Sequence, residues 1–345
     1  MQASGRNAGL GIALVSALAF GGSGVAAKPL IEAGLDPLHV VWLRVAGAAL
    51  VLSPLAWRHR DLLVRRPALL AGFGLIAVAG VQAFYFASLS RIPVGVALLL
   101  EYLGPALLLG YIRFVQRKPV SRAAAGGAAV AVAGLACVVQ IWSGLSLDPL
   151  GVLLGLAAAC CQAAYFVLAD QGSDAEGDAP DPLGVIAYGM LIGALVLTLV
   201  ARPWNADWQV LSGQASMNGT DVPAWLLLGW VILIATVFAY VTGVVSVRML
   251  SPQVAGVVAF LEAITAVVFA WVLLGETLAA WQIAGGALVL LGAFIAQTAR
   301  PGGATEPVAS GGPVPPVPVE TGSADALAAD AVPDRSALDR EPTAP

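Results

Sequence analysis

Two stretches of this chain repeat each other: residues 36–52 read DPLHVVWLRVAGAALVL, and residues 181–197 read DPLGVIAYGMLIGALVL. They align without a gap and share 8 identities in 17 positions, namely Asp, Pro, Leu and Val near the start and Ala-Leu-Val-Leu at the end. Each stretch opens with Asp-Pro, which suits a helix start because the Pro nitrogen has no proton to leave unpaired. The pair predicts the same apolar helix in two copies of a repeat.

Apolar runs of this kind fill most of the chain. Of the 345 residues, 59% are hydrophobic and 11% are charged, and the mean hydropathy is +0.86. A bilayer core about 30 Å thick requires about 20 apolar residues in a helix. We therefore predict an all-α integral membrane protein with ten transmembrane helices, over residues 9–27, 37–57, 68–89, 94–114, 123–142, 149–169, 182–201, 223–247, 252–274 and 278–298.

The repeat predicts an inverted arrangement of two halves. Five helices per unit is an odd number, so the second unit must enter the bilayer from the opposite face. We predict one five-helix repeat over residues 1–143 and a second, inverted one over residues 144–300. Residues 301–345 hold 7 acidic and 2 basic residues among many Pro, Gly and Ala, and we expect this tail to be disordered.

Basic residues near the span ends are sorted by side, which predicts the orientation. Eleven of them fall on one side of the predicted membrane and three, Lys28, Arg91 and Arg202, on the other. By the positive-inside rule both termini are cytoplasmic, and the expected location is the inner or plasma membrane. The loop at residues 171–181 carries only acidic charges, but acidic residues count little in that rule.

Three charged residues lie well inside predicted spans. Glu101 is seven residues into the fourth span, Arg44 seven into the second, and Glu262 ten into the ninth. These positions correspond to depths of roughly 10–15 Å, where an ionised group facing lipid is costly. Arg44 and Glu101 could form a structural ion pair, or line a cavity and bind a substrate carboxylate and an ammonium group or coupling proton. Arg44 could also reach outward to the interface.

A helix break is expected beside Glu101. Pro105, after Gly104, cannot donate to the carbonyl of Glu101, and freed carbonyls inside membranes are tolerated where they line a water-filled cavity. A packing kink is the simpler explanation. Further polar side chains on the spans complete the predicted substrate and proton pathway: Gln82, Tyr85, Tyr102, Gln162 and Tyr165.

The stretch IPVGVALLLEYLGP, residues 92–105, carries a family resemblance. With GGSGVAAK at 21–28, LRV at 43–45 and LGETL at 274–278, the chain resembles the EamA-type carriers of the drug/metabolite transporter superfamily. The resemblance covers residues 9–299. It implies a ten-helix inverted-repeat fold, alternating access, and export of small amino acids or related metabolites with the proton gradient as the driving force. Where the family motif of the second repeat has Glu-Pro, this chain has Glu262-Ala263.

Other functional classes are less well supported. The chain has two His residues, both near span ends, and no HExxH motif or Walker A loop, so neither an intramembrane enzyme nor direct ATP hydrolysis is expected. A membrane scaffold remains an alternative, as does a carrier for aromatic amino acids, amines or drugs. We expect no cofactor, no metal and no nucleic acid, a small-molecule substrate, and a monomer or homodimer in the bilayer.

Overall fold

The computed structural model describes residues 2–140, 147–173, 180–250 and 252–298. The predicted tail, residues 301–345, lies outside the described residues, and so does Trp142 at the end of the fifth predicted span.

The first half of the chain is helical throughout. Its elements are α1 (Gln2–Glu32), α2 (Pro37–Arg58), α3 (Leu62–Arg65), α4 (Pro67–Gly72), α5 (Gln82–Leu89), α6 (Val94–Glu101), α7 (Gly104–Gly110) and α8 (Arg122–Val139). A π-helical segment, Phe73–Val81, joins α4 to α5, and a second one, Tyr111–Val115, extends α7.

The second half is also mostly helical, with one short hairpin in addition and with a single continuous helix, Pro252–Leu274, where the first half has α6 and α7. Its elements are α9 (Pro149–Ser173), α10 (Pro182–Ala201), the strands β1 (Gln214–Met217) and β2 (Thr220–Pro223), α11 (Ala224–Gly229), α12 (Ala239–Met249), α13 (Pro252–Leu274) and α14 (Ala280–Thr298). Another π-helical segment, Trp230–Phe238, joins α11 to α12.

Local chemistry explains where the repeated helices begin. The side chain of Asp36 accepts from the amide of Leu38 at the start of α2, and Asp181 accepts from Leu183 at the start of α10. Each cap satisfies an amide that the helix itself leaves unpaired, and Pro occupies the next position in both helices. The repeated Asp-Pro pair therefore sets the same helix start twice.

Eight helical runs among the described residues are long and apolar enough to cross a membrane: Ala8–Glu32, Pro37–Arg58, Pro67–Leu89, Val94–Val115, Arg122–Val139, Pro149–Leu168, Pro182–Ala201 and Ala224–Ser246. Two shorter apolar helices, Phe260–Leu274 and Ala280–Ala296, follow. The chain is thus a mostly helical, multi-pass membrane protein.

One element departs from the all-α prediction. Strands β1 and β2 pair antiparallel, with Met217 opposite Thr220, around a turn at Asn218 and Gly219. Both turn residues have positive φ, at 49° and 80°, and Asn-Gly is the preferred dipeptide for such a hairpin turn. The prediction missed this hairpin because hydropathy alone identifies apolar spans and says nothing about the loops between them.

Helices of the two halves pack against each other in a reciprocal way. Helix α1 packs on α12, α13 and the segment Trp230–Phe238, whereas α9 packs on α5, α6 and the segment Phe73–Val81. Helices α2 and α10 pack together, and so do α8 and α14. Between α8 and α14 the approach is close, since a Cβ on Gly134 would lie 2.6 Å from the carbonyl oxygen of Gly285. Small residues permit this contact.

Candidate functional site

Arg44 is the largest fully buried side chain among the described residues. It projects from α2, is 2% exposed, and donates from Nε to Thr236 Oγ1 at 2.8 Å and from Nη1 to Gln82 Oε1 at 2.7 Å. Its Cζ lies 5.4 Å from the centre of the Phe86 ring, which favours a cation–π contact. The remaining nitrogen, Nη2, has no hydrogen-bond partner. The guanidinium is therefore held in place by two of its nitrogens, while the third, Nη2, remains able to donate.

Glu101 lies where the helix of the fourth predicted span is interrupted. Helix α6 ends at Glu101 and α7 begins at Gly104, with Tyr102 and Leu103 in a turn between them. Pro105 supplies no amide for the next turn of a continuous helix. The Glu101 side chain is fully buried, and neither carboxyl oxygen has a hydrogen-bond partner. An unpartnered carboxyl group at such a site is costly to the fold.

The ion pair between Arg44 and Glu101 that the sequence left open is not formed. The partners of Arg44 are Thr236 and Gln82, and Glu101 has none. The alternative that the Arg44 side chain extends outward to the membrane interface is also wrong, because the side chain is enclosed by protein. The structure thus leaves the two charges near each other but separately placed.

Glu262 and three tyrosines lie within electrostatic reach of Arg44 or Glu101. The charges of Glu262 and Arg44 both act on Glu101, and Tyr85 and Tyr240 lie within electrostatic reach of Arg44. Tyr102 is buried and lies near Glu101 and Glu262. Its ring centroid is 5.5 Å from that of Phe260 on α13, the helix that carries Glu262. The three charged residues predicted from the sequence therefore belong to one buried polar cluster.

The remaining predicted residues border this cluster. Gln82 is the acceptor for Arg44, and Tyr85 packs against α1, since a Cβ on Gly24 would lie 2.6 Å from its hydroxyl oxygen. Gln162 on α9 contacts Gly104 so closely that no larger residue fits there without a shift. Tyr165, also on α9, is buried with its hydroxyl unpartnered.

Sequence reasoning missed three members of this region. Thr236 fixes Arg44, Tyr240 lies near it, and Ser23 on α1 is buried with an unpartnered hydroxyl. Polar side chains within long apolar helices were the available signal. A threonine in a membrane helix is a weak sign of a binding site, because its hydroxyl usually donates to the backbone of its own helix. Thr236 makes such a bond as well, to Val231 O at 2.7 Å.

In the described ranges no group of three or more His, Cys, Asp or Glu side chains could hold a metal ion. The cluster instead offers one guanidinium, two carboxyl groups and several hydroxyls inside an apolar bundle, a combination suited to an organic solute that carries both charges.

Comparison with known proteins identifies the family. The model of the EamA-like transporter family matches residues 7–140 and again residues 149–298. The chain belongs to the EamA-like transporter family. The two matches together cover most of the chain, and each contains one copy of the repeated stretch that begins with Asp-Pro.

Relatives of this EamA-like transporter include named exporters. The threonine/homoserine exporter RhtA of Escherichia coli (strain K12) is 28% identical over 290 residues, which cover 83% of this chain and 88% of the relative. RhtA of Salmonella typhimurium (strain SL1344) is 27% identical over 247 residues, covering 71% and 76%. A solved crystal structure aligns with a TM-score of 0.52 and 20% identity over 86% of this chain and 98% of that one, which supports the fold. Family membership makes the protein a membrane transporter rather than an enzyme.

Proposed function

We propose that this EamA-like transporter exports a small, zwitterionic amino acid of the threonine or homoserine kind in exchange for protons. The observation that carries the proposal is the buried Glu101 carboxyl group, which has no hydrogen-bond partner although Arg44 and Glu262 lie near it. The relatives named as threonine/homoserine exporters support the choice of substrate.

The cost of burying Glu101 defines its role. A carboxylate without a partner in an apolar interior is strongly disfavoured, so the group must carry a proton or meet a cation. A substrate ammonium and a proton therefore compete for the same carboxyl oxygens. When the ammonium leaves on one side and a proton replaces it, the two fluxes are coupled in opposite directions.

Arg44 completes the recognition of a zwitterion. Its Nε and Nη1 are occupied by Thr236 and Gln82, whereas Nη2 has no partner and can donate to a substrate carboxylate. Because the guanidinium is held on two of its nitrogens, little side-chain freedom is lost when the third binds. The unpartnered hydroxyls of Ser23 and Tyr165 are available for a hydroxyl group on the substrate.

The other predicted residues have supporting roles in this scheme. Glu262 acts on Glu101 through its charge, and Tyr102 lies near both carboxyl groups. Gln82 orients Arg44, Gln162 covers the helix break at Gly104 and Pro105, and Tyr85 closes the cluster against α1.

Two inverted repeats of five helices provide the alternating access. The reciprocal packing of α1 and α9 against opposite halves supports this arrangement. The π-helical segments Phe73–Val81 and Trp230–Phe238 support it as well, because both span 9 residues and occupy corresponding places in the third helix of each repeat. We infer ten membrane helices in two units, residues 1–143 and 144–300, with both termini in the cytoplasm. Halves of inverted topology can exchange conformations and thereby open the opposite side.

Transport by the purified chain in lipid vesicles tests the proposal. A pH gradient of the correct sign should drive labelled threonine or homoserine against its concentration gradient, and an ionophore that dissipates the gradient should stop it. Aromatic amino acids, amines and drugs in the same assay show whether another class is carried instead. Absence of gradient-driven movement of small amino acids, with a folded protein in the vesicles, contradicts the proposal.

A further inference from the structure

A single carboxylate, Glu276, joins three elements at one end of the helix bundle. Its Oε1 lies 2.5 Å from Nζ of Lys28 on α1, and its Oε2 accepts from the amide of Val94 at the start of α6 at 2.9 Å. Glu276 lies two residues beyond Leu274, the last residue of α13. Lys28 also donates to the carbonyl oxygen of Ile92 at 3.3 Å. The ends of α1, α6 and α13 are thus connected through two side chains.

The same three elements carry residues of the buried cluster. Ser23 lies on α1, Glu101 is the last residue of α6, and Glu262 lies on α13. Helix α6 is only 8 residues long. Its first amide, that of Val94, is bonded to Glu276, and its last residue is Glu101. A short helix moves as a unit, and a movement at Val94 is transmitted to Glu101 about 10 Å away.

Backbone geometry positions Glu276 for these contacts. Gly275 has φ of +70°, a left-handed conformation that lets the chain turn back after α13. The amide of Glu276 then donates to Ala270 O at 3.1 Å. The hairpin turn covers this point, because a Cβ on Gly275 would lie 2.9 Å from Asn218 Oδ1.

We propose that Glu276 and Lys28 form a reversible gate that closes the outer side of the transport pathway in the conformation described here. The proposal rests on the function proposed above, which places Lys28 and the end of α13 on the non-cytoplasmic side. Opening toward that side separates α1 and α6 from α13, so both contacts of Glu276 must break. The two side chains are 15% and 14% exposed, and water can therefore solvate the charges once they part.

The rate at which a membrane-impermeant maleimide labels a cysteine on the inner side of the gate measures whether the gate is closed. The reporter is Ser23→Cys, five residues from Lys28 on α1, in a chain whose native Cys137, Cys160 and Cys161 are replaced by serine. Added from outside, the reagent should label the reporter slowly with the gate intact. Lys28→Met or Glu276→Gln should increase the labelling rate by about tenfold, the ratio expected for loss of one charge-assisted contact.

Glu276→Ala also loses the contact with Val94 and should increase the labelling rate further. The exchange of both charges, Lys28→Glu with Glu276→Lys, restores the ion pair but not the contact with Val94, and should return the labelling rate part of the way from that of Glu276→Ala to that of the unmodified gate. Recovery in the exchanged pair excludes misfolding as the cause of the single-variant effects.

The chain contains a matched control pair on the same side. Arg91 Nη1 lies 3.1 Å from Asp148 Oδ2, and both side chains are far more exposed, at 42% and 37%. The hydrogen bond from the amide of Gly151 and the contact with Arg91 lower the pKa of Asp148, which favours its ionised form. Arg91→Met should leave labelling unchanged.

Equal labelling rates in Lys28→Met and Arg91→Met would overturn the gate. Because labelling needs no substrate, this failure is separate from failure of the proposed function. If labelling changes as expected but no amino acid is transported, the gate proposal is supported and the substrate assignment is wrong.

Discussion

Arg44 in the first half of the chain is hydrogen-bonded to Thr236 in the second half, with 2.8 Å between Nε and Oγ1. The bond connects α2 to the π-helical segment Trp230–Phe238, and both side chains are buried. A charge central to the candidate site is therefore oriented by a residue 192 positions away in the chain. Any relative movement of the two halves changes the position of this guanidinium.

Replacement of Thr236 by valine tests that relationship. Valine keeps the shape but removes the acceptor, which leaves a charged donor unpaired at a cost of about 1–3 kcal/mol. We expect a lower thermal midpoint and weaker substrate binding, measured on detergent-purified protein. Thr236→Ser retains the hydroxyl and is the control. Equal loss in the serine variant would assign the effect to packing instead of the hydrogen bond.

Glu101→Gln should abolish transport driven by a proton gradient. Glutamine is close in size but cannot take up or release a proton, so the protein should still fold and insert. Vesicle transport with and without the gradient provides the measurement, and size-exclusion behaviour reports folding. The control is Glu32→Gln, at an exposed residue at the end of α1. Undiminished driven transport in Glu101→Gln removes this carboxyl group from the mechanism.

Arg44→Lys should weaken substrate affinity while the maximal rate changes less. Lysine keeps the charge but lacks the planar set of donors, so it cannot serve Thr236, Gln82 and a substrate together. We expect an increase of about tenfold in KM, consistent with loss of one hydrogen bond to a charged group. If affinity is unchanged and only thermal stability falls, Arg44 has a structural role.

Gly104→Ala should impair transport because the added methyl group meets the amide oxygen of Gln162. Either the end of the Gln162 side chain or the helix break beside Glu101 must then shift, and overpacking costs about 1–3 kcal/mol where the backbone gives way. Gly110→Ala on the same short helix is the matched control, since a Cβ there meets nothing within 4 Å. Trimming the neighbour with Gln162→Ala in the Gly104→Ala chain should restore transport to the level of the Gln162→Ala variant alone, since Gln162 is itself a predicted pathway residue. No recovery in that double variant would contradict the steric explanation.

Much of the helical framework could be predicted from the sequence, for a physical reason. Hydrocarbon offers the backbone no hydrogen-bond partners, so each long apolar run must satisfy its own amides and carbonyls as a helix. The Asp-Pro pairs at Asp36 and Asp181 fix helix starts in the same local way. The hairpin at Asn218 was missed because the prediction relied on hydropathy, which detects apolar spans and not polar turns.

The residues of the candidate site were only partly predictable. Glu101, Arg44 and Glu262 stand out because charge is rare in apolar spans, and the structure brings them into one buried cluster. Thr236 and Ser23 do not stand out, since hydroxyl side chains are common in membrane helices and usually bond to their own backbone. Their functional roles, like those of the charged residues, stay predictions for the experiments above.

The sequence by itself determined that this protein is a helical membrane protein with a repeated half, because apolar run length and local caps act over one helix at a time. Only the tertiary structure decided which polar groups meet. It paired Arg44 with Thr236 and Gln82 rather than with Glu101, left Glu101 without a partner, and joined Lys28 to Glu276. Such choices depend on how helices from distant parts of the chain cross, and a linear pattern does not contain those crossings.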